Sequence, residues 1–330
     1  MTGQNGLNGA SPAPDGDQPP APPRADQRSP QQPSPPAGTS PQVGATANGQ
    51  APPTVTEPDI PPVADPTVGA KDSVRIVGNG VELEGHLARP AADPSRDRPG
   101  VVLVHGFPSG EVWAERIGID LPELANRLAE QMGWTALAVR FRGCGESTGD
   151  FSLGGWIADI RSAVAYLRTV AAPDRVWLVG FGTGGALAMV AAADDPEIAG
   201  VGVLGAPADF ADWAANPGRL EDHAKRVGVI SSSSFPNDPL GWRDELRTVR
   251  AIDAAEHLAP RGLLVLHGSE DDVVPHFDAR VLADAHGQAE LRFIQGGGHL
   301  LRHDPRAMAV LLGWLSRQRD SFDPVPTAAP

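Results

Sequence analysis

"VWLVGFGTGGALAM", residues 176–189, decides how the rest of this chain is read. Val176 to Val179 form a short, unbroken apolar run. A cluster of glycines follows, then a stretch of small residues with helical spacing. Strand, tight turn and helix in this order make a place for chemistry, and two motifs compete for the letters. Gly180, Gly182 and Gly185 satisfy the dinucleotide fingerprint G-x-G-x-x-G. Gly180 and Gly184 satisfy the outer positions of the hydrolase nucleophile elbow G-x-S-x-G, with Gly182 where the serine belongs.

The neighbouring strands favour the second motif. Apolar runs recur at 101–104, 134–139, 201–204, 263–267 and 291–294. Short continuous runs fit strands buried on both faces, as in a parallel sheet. Helical periods lie between them. Leu121, Leu124, Leu128 and Met132 share one face, with Asp120 and Glu123 spaced as a capping box. Ile157, Ile160, Val164 and Leu167 form a second such face. Met308, Leu311, Leu312 and Leu315 form a third, opened by Asp304 as N-cap and Pro305 as first helical residue. Ahead of all these, two alternating segments flank Gly78-Asn79-Gly80, a hairpin signal. The pattern predicts an α/β fold with a mostly parallel central sheet, flanking helices and an N-terminal antiparallel hairpin. Residues 207–260 break the rhythm with no clear strand, two short helical patterns and the run Ser231–Ser234, and read as an inserted helical lid.

Sites in such sheets form at the carboxyl ends of the strands. Those ends carry His105-Gly106-Phe107, then Arg142-Gly143 with Gly145, Ser147 and Gly149, then the elbow. Next come His267-Gly268 with Asp271 and Val274-Pro275, and finally three glycines before His299. In this order and spacing they resemble the α/β-hydrolase superfamily, in pattern the serine aminopeptidase-like and acylglycerol-lipase-like members, over about residues 72–318. The resemblance implies an α/β-hydrolase fold with Asp271 as catalytic acid and His299 as base. It implies backbone oxyanion donors at Phe107 and Thr183, and a nucleophile position occupied by Gly182. No metal or cofactor is expected. A dinucleotide site would need an acidic residue ending the next strand, about 20 positions on, and "VGVLGAPAD" carries none at its tip.

Each candidate has a rival. Asp272 competes with Asp271, and His303 with His299. Thr183 as a displaced nucleophile would project away from the apex. Cys144, a stronger nucleophile in principle, belongs to the loop after another strand. Trp213 and Trp242 in the lid are read as packing residues, with pocket lining as the alternative.

Composition bounds the rest. The chain has 330 residues, and residues 1–70 hold 17 of its 34 prolines but no Trp, Phe or Tyr. Such a segment cannot offset the entropy of ordering itself. It reads as a disordered Pro-rich arm, followed by a hydrolase domain at 71–320 and a disordered tail at 321–330. The formal net charge of −14 opposes non-specific nucleic-acid binding. No apolar run approaches the length of about 18 residues needed for a membrane span, and no secretory signal is visible. The single cysteine fits a reducing cytoplasm. Three functions stay open: a pseudo-hydrolase that binds a small carbonyl or acyl ligand; a non-classical enzyme using Asp271 and His299 as a general-base dyad; and an interaction protein whose Pro-rich arm engages a protein partner.

Overall fold

The computed structural model describes residues 72–91, 98–108 and 114–321. The arm expected at 1–70 and residues 322–330 of the expected tail lie outside the described residues. The expected hairpin is β1 (Ser73–Gly78) and β2 (Val81–Ala88). Asn79 and Gly80 both take positive φ, 52° and 76°, the primed turn that matches the twist of paired strands. The six apolar runs become β3 (Pro99–Val104), β4 (Thr135–Val139), β5 (Arg175–Phe181), β6 (Ile198–Leu204), β7 (Gly262–Gly268) and β8 (Glu290–Ile294). They form one sheet in the order β1-β2-β4-β3-β5-β6-β7-β8. The pairs β1–β2 and β2–β4 are antiparallel and all others parallel.

Helices cover both faces, which is why the central strands can be apolar throughout. On one face, α1 (Leu121–Met132) and α9 (Pro305–Asp320) bury Leu121, Leu128, Leu311 and Trp314 against the sheet. On the other, α2 (Leu153–Ala171) and α3 (Thr183–Ala193) contribute Trp156, Ile160, Leu187 and Met189 to a second cluster. The α9 start is as expected, with Asp304 accepting from the Arg306 amide at 2.8 Å. The α1 start is not. Asp120 sits in helical conformation and makes no side-chain cap; its carboxylate takes the Arg302 guanidinium at 2.6 Å instead. A charge-assisted bond from a distant segment has displaced the local cap.

Residues 207–260 hold four helices: α4 (Ala211–Ala215), α5 (Pro217–Val227), α6 (Pro239–Thr248) and α7 (Ala251–Leu258). The last of these packs on α3 and on α8 (His276–His286), in the helical layer beside the sheet. No helix among the described residues is long and apolar enough to cross a membrane.

The strand order reverses direction at β3, because β4 lies on one side of it and β5 on the other. Val104 pairs in register with Gly180. The segments that leave β3 and β5 therefore emerge side by side at the topological switch point, where α/β sheets place their sites.

Candidate active site

Gly182 is the apex between β5 and α3, with φ 51° and ψ −128°. An L side chain is strained there. Its amide donates to the Leu204 carbonyl at 2.8 Å. Its own carbonyl accepts the first helical bonds, from the Gly185 and Ala186 amides. The Thr183 amide stands ahead of those bonds at the helix N-terminus, where N–H groups have no intrahelical partner.

The neighbouring glycines have a different cause. A Cβ on Gly180 would lie 2.5 Å from Gly185 Cα, and one on Gly184 would lie 2.0 Å from the His105 carbonyl oxygen. Strand and helix touch backbone to backbone there. At Gly182 a side chain meets no clash: a Cβ would stand at ordinary contact distance, 3.4 Å from His299 Nε2 and 3.6 Å from Gly106 Cα. Space thus permits a side chain at Gly182, and the direction it would take faces the imidazole.

Asp271 lies in the loop after β7 and His299 in the loop after β8. His299 Nδ1 is 2.9 Å from Asp271 Oδ2. An ionised carboxylate only accepts, so Nδ1 carries the proton, and in the neutral ring Nε2 keeps its lone pair. The Asp271 side chain is fully buried, and that of His299 is 17% exposed. Burial alone would raise the Asp271 carboxyl. The His299 hydrogen bond and the Val274 and Val273 amides outweigh it and hold the group below the usual carboxylate range. The rivals are elsewhere: Asp272 is exposed, and His303, with a side chain 55% exposed, lies 3.5 Å from Asp120.

A second histidine, not singled out as a site residue by the sequence, touches the same carboxylate. His267 Nε2 lies 3.3 Å from Asp271 Oδ2 and 3.0 Å from the Val274 carbonyl. Its position four residues before Asp271, at the end of β7, was the available signal. His105 was also missed as a structural element. Its Nδ1–H donates to the Gly106 carbonyl at 2.7 Å, and its Nε2 accepts from the Phe141 amide at 3.0 Å. Burial drives its pKa down to about 4, so it is a neutral brace that fixes the turn carrying Phe107.

The loop at 142–149 is also a brace. Arg142 forms a forked pair with the fully buried Asp159, with Nη2–Oδ1 at 2.7 Å. Ser147 Oγ accepts from the Glu84 amide and donates to the Arg140 carbonyl. Cys144 is fully buried, and burial pushes its thiol well up, away from the reactive thiolate. Trp242 is core, while Trp213 packs on Phe107 with ring centroids 5.1 Å apart.

A cavity of about 420 Å³ opens above these residues, bounded by Phe107, Thr183, Phe210, Trp213, Val274 and His299 among others. Its charged lining is acidic, from Asp209, Asp212 and Asp278. Burial, then the neighbouring Asp209 and Asp212 charges, raise the Asp278 carboxyl against the pull of the Ala208 amide.

Among curated proteins, none matches this sequence. Among solved structures, the chain is similar in fold to Est1E from Butyrivibrio proteoclasticus, with 19% identity and TM-score 0.56, covering 75% of this chain and 98% of that one. It is similar to the alpha/beta hydrolase GrgF from Penicillium sp. sh18, with 20% identity, TM-score 0.57, and the same coverage of 75% and 98%. It is also similar to the Pyrococcus furiosus esterase PF2001, with 18% identity and TM-score 0.53, covering 75% and 90%. The family model described as "Alpha/beta hydrolase family" matches residues 101–311. With the sheet order, the switch-point elbow and the loops after β7 and β8 all in agreement, the chain belongs to the alpha/beta hydrolase family.

Proposed function

We propose that this protein binds a small carbonyl or acyl ligand in the 420 Å³ cavity and forms no acyl-enzyme from it. The observation that carries the reading is Gly182. It occupies the strained apex, has room for a side chain facing His299 Nε2, and supplies no hydroxyl. Covalent acyl transfer needs a nucleophile whose proton the base removes. The rest of the arrangement suits a carbonyl group. The Thr183 amide at the α3 N-terminus and the Phe107 amide on the β3 turn are the candidate oxyanion donors. Phe107, Phe210 and Trp213 supply the apolar wall that small-ligand cavities use. The acidic lining favours ligands that are neutral or cationic over carboxylates.

The test is direct. A carbonyl compound such as 4-nitroacetophenone is titrated into the full-length protein and followed by NMR. Saturable binding is expected, weakened by a bulky substitution in the cavity wall such as Thr183→Trp. A fluorophosphonate probe is expected to leave no label on the same protein. Labelling that survives Cys144→Ala would reveal a hidden nucleophile and overturn the reading.

A further inference from the structure

A second, much smaller cavity lies beside the apex. It measures about 20 Å³ and is bounded by Gly106, Phe181, Gly182, His299, Leu301 and Arg302, among others. A cavity needs about 10–15 Å³ to hold one water molecule, so this one has room for one. Gly106 and Gly182 present only backbone to it. The point where a Cβ on Gly182 would sit is 3.4 Å from His299 Nε2. A water oxygen a few tenths of an ångström nearer the ring would be within hydrogen-bond distance of that nitrogen, about 2.7–3.0 Å. In the neutral ring Nε2 is the nitrogen with the free lone pair, because Nδ1–H is committed to Asp271.

We infer that a water molecule in this small cavity stands in for the missing serine hydroxyl. The protein then hydrolyses short carboxylic esters with good leaving groups in a single displacement. The inference rests on the carbonyl-binding reading above, since the ester must seat in the adjoining cavity. His299 Nε2 takes one proton from the water as the water oxygen forms its bond to the carbonyl carbon. The carbonyl π pair moves onto oxygen, where the Phe107 and Thr183 amides receive it. The pair returns, the bond to the leaving oxygen breaks, and that oxygen takes the proton held on His299. Acid and alcohol leave, and no atom of the protein is bonded to the acyl group at any stage. Asp271, buried and held ionised, stabilises the imidazolium that forms in between.

The structure also explains why glycine suits this role. An alanine Cβ would stand 3.4 Å from Nε2, overlapping a water oxygen held by that nitrogen at about 2.7–3.0 Å. Gly182→Ala is therefore the diagnostic change, because it adds no chemistry and fills that space.

The experiment measures p-nitrophenyl acetate hydrolysis by the full-length wild type, Gly182→Ala and His299→Ala, with 4-nitroacetophenone binding by NMR in parallel. The wild type is expected to turn over without an initial burst and to show no acyl adduct by intact mass. His299→Ala is expected to lower the rate about 10²–10⁴-fold, the range for loss of a general base. Gly182→Ala is expected to lower it at least about tenfold while still binding the ketone. If Gly182→Ala does not fold, partition of wild-type product between water and methanol decides. Single displacement gives a ratio that changes with the leaving group, whereas an acyl-enzyme gives one ratio for all. A rate unaffected by Gly182→Ala or by His299→Ala, an acyl adduct, or a constant ratio would overturn the inference. Ketone binding without hydrolysis above the buffer rate would remove the water mechanism and leave the binding reading standing. Loss of both would remove both.

Discussion

Replacing Gly182 by serine is expected to create a serine esterase. The backbone at 182 already has φ 51° and ψ −128°, and a Cβ there meets nothing closer than His299 Nε2 at 3.4 Å. One further bond places Oγ within reach of Nε2 in a staggered rotamer. The cost is conformational strain of about 1–3 kcal/mol for an L residue at this φ. For a domain of this size that lowers Tm by roughly 2–12 °C, a fall the protein tolerates if its stability is ordinary. The gain has a known ceiling, since removing the nucleophile of a serine protease costs about 10⁶ in turnover. A pocket shaped without that nucleophile will recover part of this range. The assay is fluorophosphonate labelling with hydrolysis of a series of p-nitrophenyl esters. Gly182→Ser is expected to label stoichiometrically, to show a burst, and to lose both in the double variant with His299→Ala. A folded Gly182→Ser protein that takes no probe and hydrolyses no ester of any chain length would refute a poised His299, and with it the alignment of apex, base and oxyanion donors.

Other outcomes follow from the same contacts. His105 has a folded pKa of about 4 against 6.5 for the free side chain; the unfolded chain binds the extra proton between those values, so stability falls as pH drops through that window, by about 3 kcal/mol in all. Urea melts from pH 7 to pH 4 on the wild type and on His105→Asn check this, and an equal slope in both would assign the effect elsewhere. Asp159→Ala leaves Arg142 mostly buried without its counter-charge and is expected to cost about 3–5 kcal/mol in denaturant melts. Cys144, fully buried with a raised thiol pKa, is expected to react with a thiol reagent only after unfolding; rapid reaction in the folded protein would reopen it as a nucleophile. In the Gly182→Ser background, a p-nitrophenyl ester bearing a carboxylate is expected to have a higher KM than its neutral isostere, and Asp278→Asn is expected to narrow the difference.

The sheet was legible because its strands are buried on both faces and leave unbroken apolar runs between amphipathic helices. The α9 start was legible because Asp304 and Pro305 act on their own helix. The α1 capping box failed for the opposite reason. Asp120 and Glu123 have the right local spacing, yet Arg302 arrives from 182 residues away and takes the Asp120 carboxylate. No local pattern reports such competition. The same limit governs the site. The spacing in His267-Gly268…Asp271 led to the buried carboxylate rather than to exposed Asp272, and the glycine run led to His299. The contact of His267 with Asp271, and the part His105 plays in fixing the Phe107 turn, are tertiary facts. They depend on how the ends of β3, β4, β5 and β7 come together, and a string of residues states only which groups are available.

Four glycines in six residues look alike in the sequence, and the structure divides them by cause. Gly180, Gly184 and Gly185 are there because α3 crosses β3 and β5 at backbone distance; any side chain would push helix from sheet. Gly184→Ala should therefore destabilise the protein severely, with its Cβ 2.0 Å from the His105 carbonyl. Gly182 is under no such pressure. It carries the conformational strain of an elbow, which glycine relieves, and stands before an intact Asp271–His299 pair. A protein selected only for its fold would gain stability from glycine at this position and would have no need of a base facing it. The buried Asp271 is held ionised by three hydrogen-bond donors that outweigh its burial, so the pair stabilises the fold as well as orienting the imidazole. Strain relieved at the apex and an imidazole oriented toward it are what the proposed carbonyl site requires, and Gly182→Ser is the change that tells a usable site from one left only as scaffold.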